Sequence, residues 1–194
     1  MKRKSEVSRT TKETHIVVRL GLDGMGKATI KTSIPFLDHM LSLFAAHSGF
    51  DLYIEAKGDL GVDSHHLIED IGLALGGAIN KALGRREGIR RYGSLLLPMD
   101  ETLVQVAIDI SGRPYLNYNG PKRGKIGEMR VGLVEDFLRA MVMEARLTLH
   151  VTILYGDDLH HKIEAVFKGV GRAIGDAVSM NPRIKGIPST KGTL

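Results

Sequence analysis

Asp157-Asp158-Leu159-His160-His161-Lys162-Ile163-Glu164 decides the reading of this chain, because Asp63-Ser64-His65-His66-Leu67-Ile68-Glu69 says nearly the same thing earlier. Four of the eight histidines stand in these two pairs. Each pair follows an acidic or hydroxyl residue suited to a helix N-cap, and each is followed at the same distance by a glutamate. The tracts beyond, Asp70 to Ile79 and Ala165 to Ile174, are apolar and glycine-containing, and they align without a gap. The pattern is a duplicated helix start. On a helix the first histidine and the glutamate stand at i and i+4, on one face, where they can share an ion. The second histidine points about 100° away around the axis, so one HHxxE helix can serve two different ions. Imidazoles mixed with a carboxylate suit Mn, Fe, Co, Ni or Zn, and the lack of any thiolate argues against a purely structural zinc site.

The composition is that of an ordinary soluble globular protein of one domain or two small ones, with 43% apolar and 25% charged residues in 194. No apolar run approaches the length of a membrane span. The start, Met1-Lys2-Arg3-Lys4, is basic, but the following Ser5 to Thr14 is polar, unlike a signal peptide. With no cysteine there are no disulfides, and a cytoplasmic protein is expected. The net charge of +5 permits a nucleic-acid partner. The basic residues are scattered, however, and aromatics are scarce, so an anionic small molecule explains the charge as well, and neither nucleic acid nor membrane is expected as a partner.

Strands are expected over Glu13 to Leu22 and Gly26 to Ser33, joined as a hairpin through Asp23-Gly24. Phe36 to His47 reads as an amphipathic helix ended by Ser48-Gly49, Phe50 to Lys57 as a strand, and the first HHxxE helix runs to about Gly84. The order then repeats, with strands over Tyr92 to Leu97, Thr102 to Ile110 and Arg113 to Asn117. A helix over Val131 to Arg146, a strand over Leu147 to Tyr155 and the second HHxxE helix follow. This is a tandem duplication with its seam near Arg91, residues 1–91 and 92–194. Gly120 to Gly127 (GPKRGKIG) is a basic, glycine-rich and mobile loop, and Met180 to Leu194 is an irregular tail able to order over a ligand. His39 and Asp136 occupy similar frames in the first helix of each half. If His39 is a ligand, Asp136 is its counterpart, since carboxylate can replace imidazole.

Phe36-Leu37-Asp38-His39-Met40-Leu41 with His47, the paired HHxxE motifs, Ser111-Gly112-Arg113-Pro114 and Pro188-Ser189-Thr190-Lys191-Gly192 together resemble the imidazoleglycerol-phosphate dehydratase family. The resemblance runs from Glu13 to Leu194. It implies an α/β (α+β, two-layer) fold made by tandem duplication of a module like the second domain of ribosomal protein S5. It also implies dehydration of imidazole glycerol phosphate to imidazole acetol phosphate in histidine biosynthesis, with two Mn²⁺ per site. A homo-oligomer of 24 subunits with sites between subunits is implied as well. The metal ligands carried over are His39, His65, His66, Glu69, His160, His161 and Glu164. Asp136 departs from the histidine more usual there, so either it ligates instead or one metal position is weaker or differently selective.

The expected mechanism needs both metals. The proton to be lost is not acidic until the substrate ring, deprotonated to imidazolate between the ions, expels hydroxide to give a diazafulvene. Glu13, matching a substrate-contacting glutamate of the family, is the first candidate for acid–base work, with His47 and Glu164 next. Arg91, Arg113, Ser189 and Lys191 match the family's phosphate contacts, Lys168 is a possible addition, and His39 and His47 are expected to touch substrate. Asp100-Glu101 is a candidate for orienting ligands from behind. Two other readings compete: a dinuclear phosphate-ester hydrolase, which would release phosphate, and an S5-like RNA-binding module, whose binding would be salt-sensitive. Neither accounts for the whole set of motifs.

Overall fold

The computed structural model describes residues 3–194. Each half contributes a four-stranded sheet with the same topology. In the first, β1 (Lys4–Thr10), β2 (Thr14–Gly21), β3 (Ala28–Lys31) and β4 (Asp51–Gly58) lie in the order β1-β2-β4-β3. In the second, β5 (Tyr92–Met99), β6 (Thr102–Asp109), β7 (Tyr115–Asn119) and β10 (Thr148–Tyr155) lie in the order β5-β6-β10-β7. Both sheets are antiparallel except for the last pairing, β3 with β4 and β7 with β10, which is parallel. The helices are α1 (Pro35–Ser48), α2 (His65–Leu83), α3 (Leu133–Ala145) and α4 (Leu159–Val178). A short ribbon, β8 (Lys125–Ile126) with β9 (Met129–Arg130), closes the basic loop after β7.

The strands bury alternate residues, as in β2, where Thr14, Ile16, Val18 and Leu20 face inward, because a sheet hides one face and wets the other. The helices fill the space between the two buried faces. They pack across the duplication, α1 against α4 and α2 against α3, so the halves share one hydrophobic core. The crossings are close because glycine stands at them. A Cβ on Gly72 or Gly76 of α2 would lie 2.5 or 2.3 Å from a carbonyl oxygen of α3, and one on Gly171 or Gly175 of α4 would lie 2.7 or 2.5 Å from one of α1. The apolar glycine-containing tracts after each HHxxE motif are these seams.

One sequence expectation fails. Asp23-Gly24 does not make a hairpin, for β3 crosses over to pair in parallel with β4. The turn is held instead by Asp51, whose Oδ1 accepts from the Met25 and Lys27 amides at 2.9 and 3.2 Å. The hairpin partner of β2 is β1, within a polar stretch that shows no apolar alternation, and β4 pairs with its other edge. As an edge strand, β1 keeps Lys4 and Glu6 exposed, which is how edges avoid further pairing, whereas Arg9 turns inward to pair with Asp70 of α2 at 2.8 Å.

Candidate metal and substrate site

The N-terminal turns of α2 and α4 carry the HHxxE motifs. On α4, Asp158 caps the helix by accepting from the His161 amide at 3.0 Å. On α2, Asp63 rather than Ser64 supplies the side-chain oxygen, accepting from the His65 amide at 2.7 Å. The spacing argument holds on α4. His160 Nε2 lies 3.0 Å from Glu164 Oε2, and His39 Nε2, from α1, lies 3.3 Å from the same oxygen. These three donor atoms all fall within 4.8 Å of one another, close enough to share an ion. Phe36 packs edge-on against the His160 ring.

Glu164 is the buried member of this group. Burial by itself would raise its pKa, but the Lys168 ammonium at 2.6 Å from Oε1, then His160 and His39, hold it below the ordinary carboxylate value. It is therefore an anion ready to ligate. His47, two turns beyond His39 on α1, is pushed below its usual value by lost hydration and by Lys168 and Arg172, with Glu164 pulling the other way.

The corresponding group across the α2–α3 seam is looser and wetter. His65 Nε2 lies 3.7 Å from Glu69 Oε2, whereas Asp136 Oδ2 lies 4.0 Å from the other ring nitrogen, Nδ1. Asp136 thus does sit opposite His65 as His39 sits opposite His160, though its oxygen and that of Glu69 do not meet at one nitrogen.

The second histidines turn away from both groups. His66 Nδ1 faces Asp59 Oδ2 at 3.2 Å and Glu13 Oε2 at 3.5 Å. His161 Nδ1 faces Glu101 Oε2 at 2.8 Å. The hydrogen bond to Asp59, then Glu13, raises the pKa of His66, and the bond to Glu101 raises that of His161. The bonds from His161, from the Asp158 amide and from Thr102 hold Glu101 far below the usual carboxylate range. Asp59 escaped the sequence reading. It lies in the Gly58 to Val62 turn, and only the folded loop brings it back to His66.

The expected phosphate contacts gather elsewhere. Arg91, on left-handed backbone with φ 74°, forks onto Asp109 at 2.7 and 3.2 Å and donates to the Pro188 carbonyl at 2.9 Å. Ser189 and Lys191 follow directly in the tail, which ends against Gly112, beside exposed Arg113. The Arg91 amide donates to the Ala177 carbonyl at the C-terminal end of α4. From His160 to Ala177 the helix rises roughly 25 Å at 1.5 Å per residue. Within the chain, then, Arg91, Arg113, Ser189 and Lys191 form one cluster and the histidine–carboxylate groups another. Lys168 belongs with the second.

Fold and donors together define a duplicated α/β protein with two pseudo-symmetric imidazole–carboxylate groups. The family model for imidazoleglycerol-phosphate dehydratase matches residues 32–174, and this chain belongs to that family: it is a dehydratase of histidine biosynthesis, a hydro-lyase. The imidazoleglycerol-phosphate dehydratase of Geobacillus kaustophilus is 52% identical over 195 residues, covering 100% of both chains. That of Acetivibrio thermocellus is 54% identical over the same length and coverage. The crystal structure of the Staphylococcus aureus enzyme superposes with a TM-score of 0.83 at 41% identity, covering 92% of this chain and 99% of that one. The Pyrococcus furiosus enzyme, solved in complex with (S)-C348, also gives 0.83, at 40% identity over 97% of this chain and 100% of that one.

Proposed function

We propose that the dehydration of imidazole glycerol phosphate to imidazole acetol phosphate takes place between subunits of a homo-oligomer, on a site holding two Mn²⁺. The observation that carries this reading is the separation just described. A substrate with one small ring and one short phosphorylated chain cannot span roughly 20–25 Å of helix, so the phosphate cluster of one copy must serve the histidine–carboxylate cluster of another. The outward-turned His66 and His161 support the same arrangement: each has its Nδ1 on a carboxylate, and the Nε2 of His161 faces only the exposed Asp100 at 3.9 Å, which leaves these nitrogens available to a group on a neighbouring copy. The reading extends to a closed assembly of 24 subunits, and to a cytoplasmic enzyme. Among the described residues no helix is long and apolar enough to cross a membrane.

The donor chemistry fits the metals. His39, His160 and Glu164 would hold one ion, and His65, Glu69 and Asp136 the other, each set completed by a second histidine. Nitrogen mixed with carboxylate oxygen suits Mn²⁺, and the extra carboxylate of Asp136 makes its position the harder and more negatively charged of the two. Such ions would lower the pKa of a bound ring's N–H, so that the ring, once deprotonated, could supply the electron push that the elimination needs.

The protein's own residues do the rest. Arg91 and Arg113 offer guanidinium forks to the phosphate, with Ser189 and Lys191 closing over it. Lys168 anchors Glu164 as an anion. Glu13 is exposed on the β1–β2 turn, beside His66, where its carboxylate is placed to take the carbon-bound proton once hydroxide has left. His47, whose pKa is lowered by lost hydration and by Lys168 and Arg172, is a further candidate for contact with the substrate.

The test is turnover of imidazole glycerol phosphate by chelator-stripped protein, with and without Mn²⁺, following ketone and free phosphate. Mn²⁺-dependent ketone without phosphate release is expected. Full activity in stripped protein would remove the metals from the mechanism. Free phosphate in place of ketone would turn the site into that of a hydrolase.

A further inference from the structure

The two halves place their hairpins in register. β2 begins at Thr14 and β6 at Thr102, each strand second in its sheet, and the residue before each is a glutamate, Glu13 and Glu101. Both reach the Nδ1 of the second histidine in their own half, His66 and His161. They are not used alike. Asp100, with φ 47° in a two-residue turn, aims Glu101 at the start of α4. There Oε2 lies 2.8 Å from His161 Nδ1, while Oε1 accepts from the Asp157 and Asp158 amides at 3.2 and 2.9 Å and from the Thr102 hydroxyl at 2.9 Å. Among the described residues Glu13 accepts no such bonds, and its side chain is 55% exposed. On His66 its place is taken by Asp59, 0.3 Å nearer, at 3.2 Å against 3.5 Å.

We infer that Glu101 and Asp59 are positioning residues for His161 and His66, and that Asp59, by taking over that task in the first half, leaves Glu13 free for the substrate. The inference rests on the two-metal reading above. A neutral imidazole has one N–H and one lone pair. Donation from Nδ1 to a carboxylate puts the lone pair on Nε2, aimed away from the helix's own donors, and makes it a better ligand. The second half gets this from its hairpin, because its shorter connection before α4 spends Asp158 on the helix cap. The first half gets it from the longer Gly58 to Val62 turn, so its hairpin glutamate has no structural duty left.

Mn²⁺ binding to the full-length protein, read from the free-ion electron-spin resonance signal, separates these roles. Glu101→Ala and Asp59→Asn should each weaken one Mn²⁺ per subunit by about 10–100-fold, the usual effect of losing a carboxylate behind a ligating histidine. Glu13→Gln should leave both affinities within about twofold while lowering kcat. If Glu101→Ala fails to fold, Glu101→Gln carries the test, since one amide oxygen cannot serve both His161 and the backbone amides. In ¹⁵N-histidine spectra of stripped protein, His161 should show Nδ1–H in wild type and lose that bias in Glu101→Gln. Unchanged Mn²⁺ affinity in Glu101 and Asp59 variants, or equal loss in Glu13→Gln, would overturn the inference. Wild type without Mn²⁺ affinity would instead overturn the two-metal reading beneath it.

Discussion

Gly171→Ala adds one methyl group and should reach the proposed metal site through packing alone. The Cβ would lie 2.7 Å from the Phe44 carbonyl oxygen and 3.2 Å from Phe44 Cα. Ordinary contact begins near 3.4 Å, so α1 must retreat by about 0.7 Å, and overpacking of this kind costs about 1–3 kcal/mol. The alanine returns about 0.5–1 kcal/mol of helix propensity, leaving a net loss of up to roughly 2.5 kcal/mol. For a chain of this length that lowers Tm by up to about 10 °C. Gly77→Ala is the matched control, because nothing lies within 4 Å of a Cβ there. It should raise Tm by about 1–4 °C through propensity alone.

The same retreat carries His39 away from Glu164, which it meets at 3.3 Å. Metal–ligand distances tolerate only about 0.2 Å, so Mn²⁺ affinity should fall in Gly171→Ala and hold in Gly77→Ala. Thermal unfolding of stripped protein and Mn²⁺ titration of both variants make the comparison. Equal Tm values with equal affinities would refute the claim that this glycine seam sets the spacing of the donors.

Asp136→His should shift selectivity from Mn²⁺ toward Zn²⁺ at one of two positions, because imidazole is the softer ligand; competitive titration that shows no change would remove Asp136 from the ligand set. Arg91→Lys breaks the fork onto Asp109 and the bond to Pro188, and should raise KM by roughly tenfold, about 1.4 kcal/mol, with kcat less affected. Lys168→Met leaves the buried Oε1 of Glu164 without its partner and should cost about 1–3 kcal/mol, seen as a lower Tm in stripped protein. His47 has a folded-state pKa below its ordinary 6.5, so the unfolded chain takes up its proton first as pH falls. That contribution to stability is present above about pH 6.5 and is lost as pH falls through the folded pKa; His47→Gln should flatten that part of a Tm-against-pH curve.

Much of this protein was fixed by its sequence, for a local reason. The i, i+4 spacing of His160 and Glu164 puts them on one face of any helix, and Pro35 and Gly49 bracket α1 whatever it packs against. The repeated HHxxE likewise follows from matching local signals. Strand β1 and the partner of β3 were not legible, since a polar edge strand has no apolar alternation and pairing is settled by which edge is open. Asp59 and Glu101 show the same limit at the site. Nothing in their own neighbourhoods in sequence says which imidazole they will face, because that depends on a loop folding back and on a hairpin meeting a distant helix. The distance between the phosphate cluster and the donors is likewise a property of the packed molecule alone. The family resemblance joins Arg91 and His160 in one expected site; the length of α4 puts them at opposite ends of one helix.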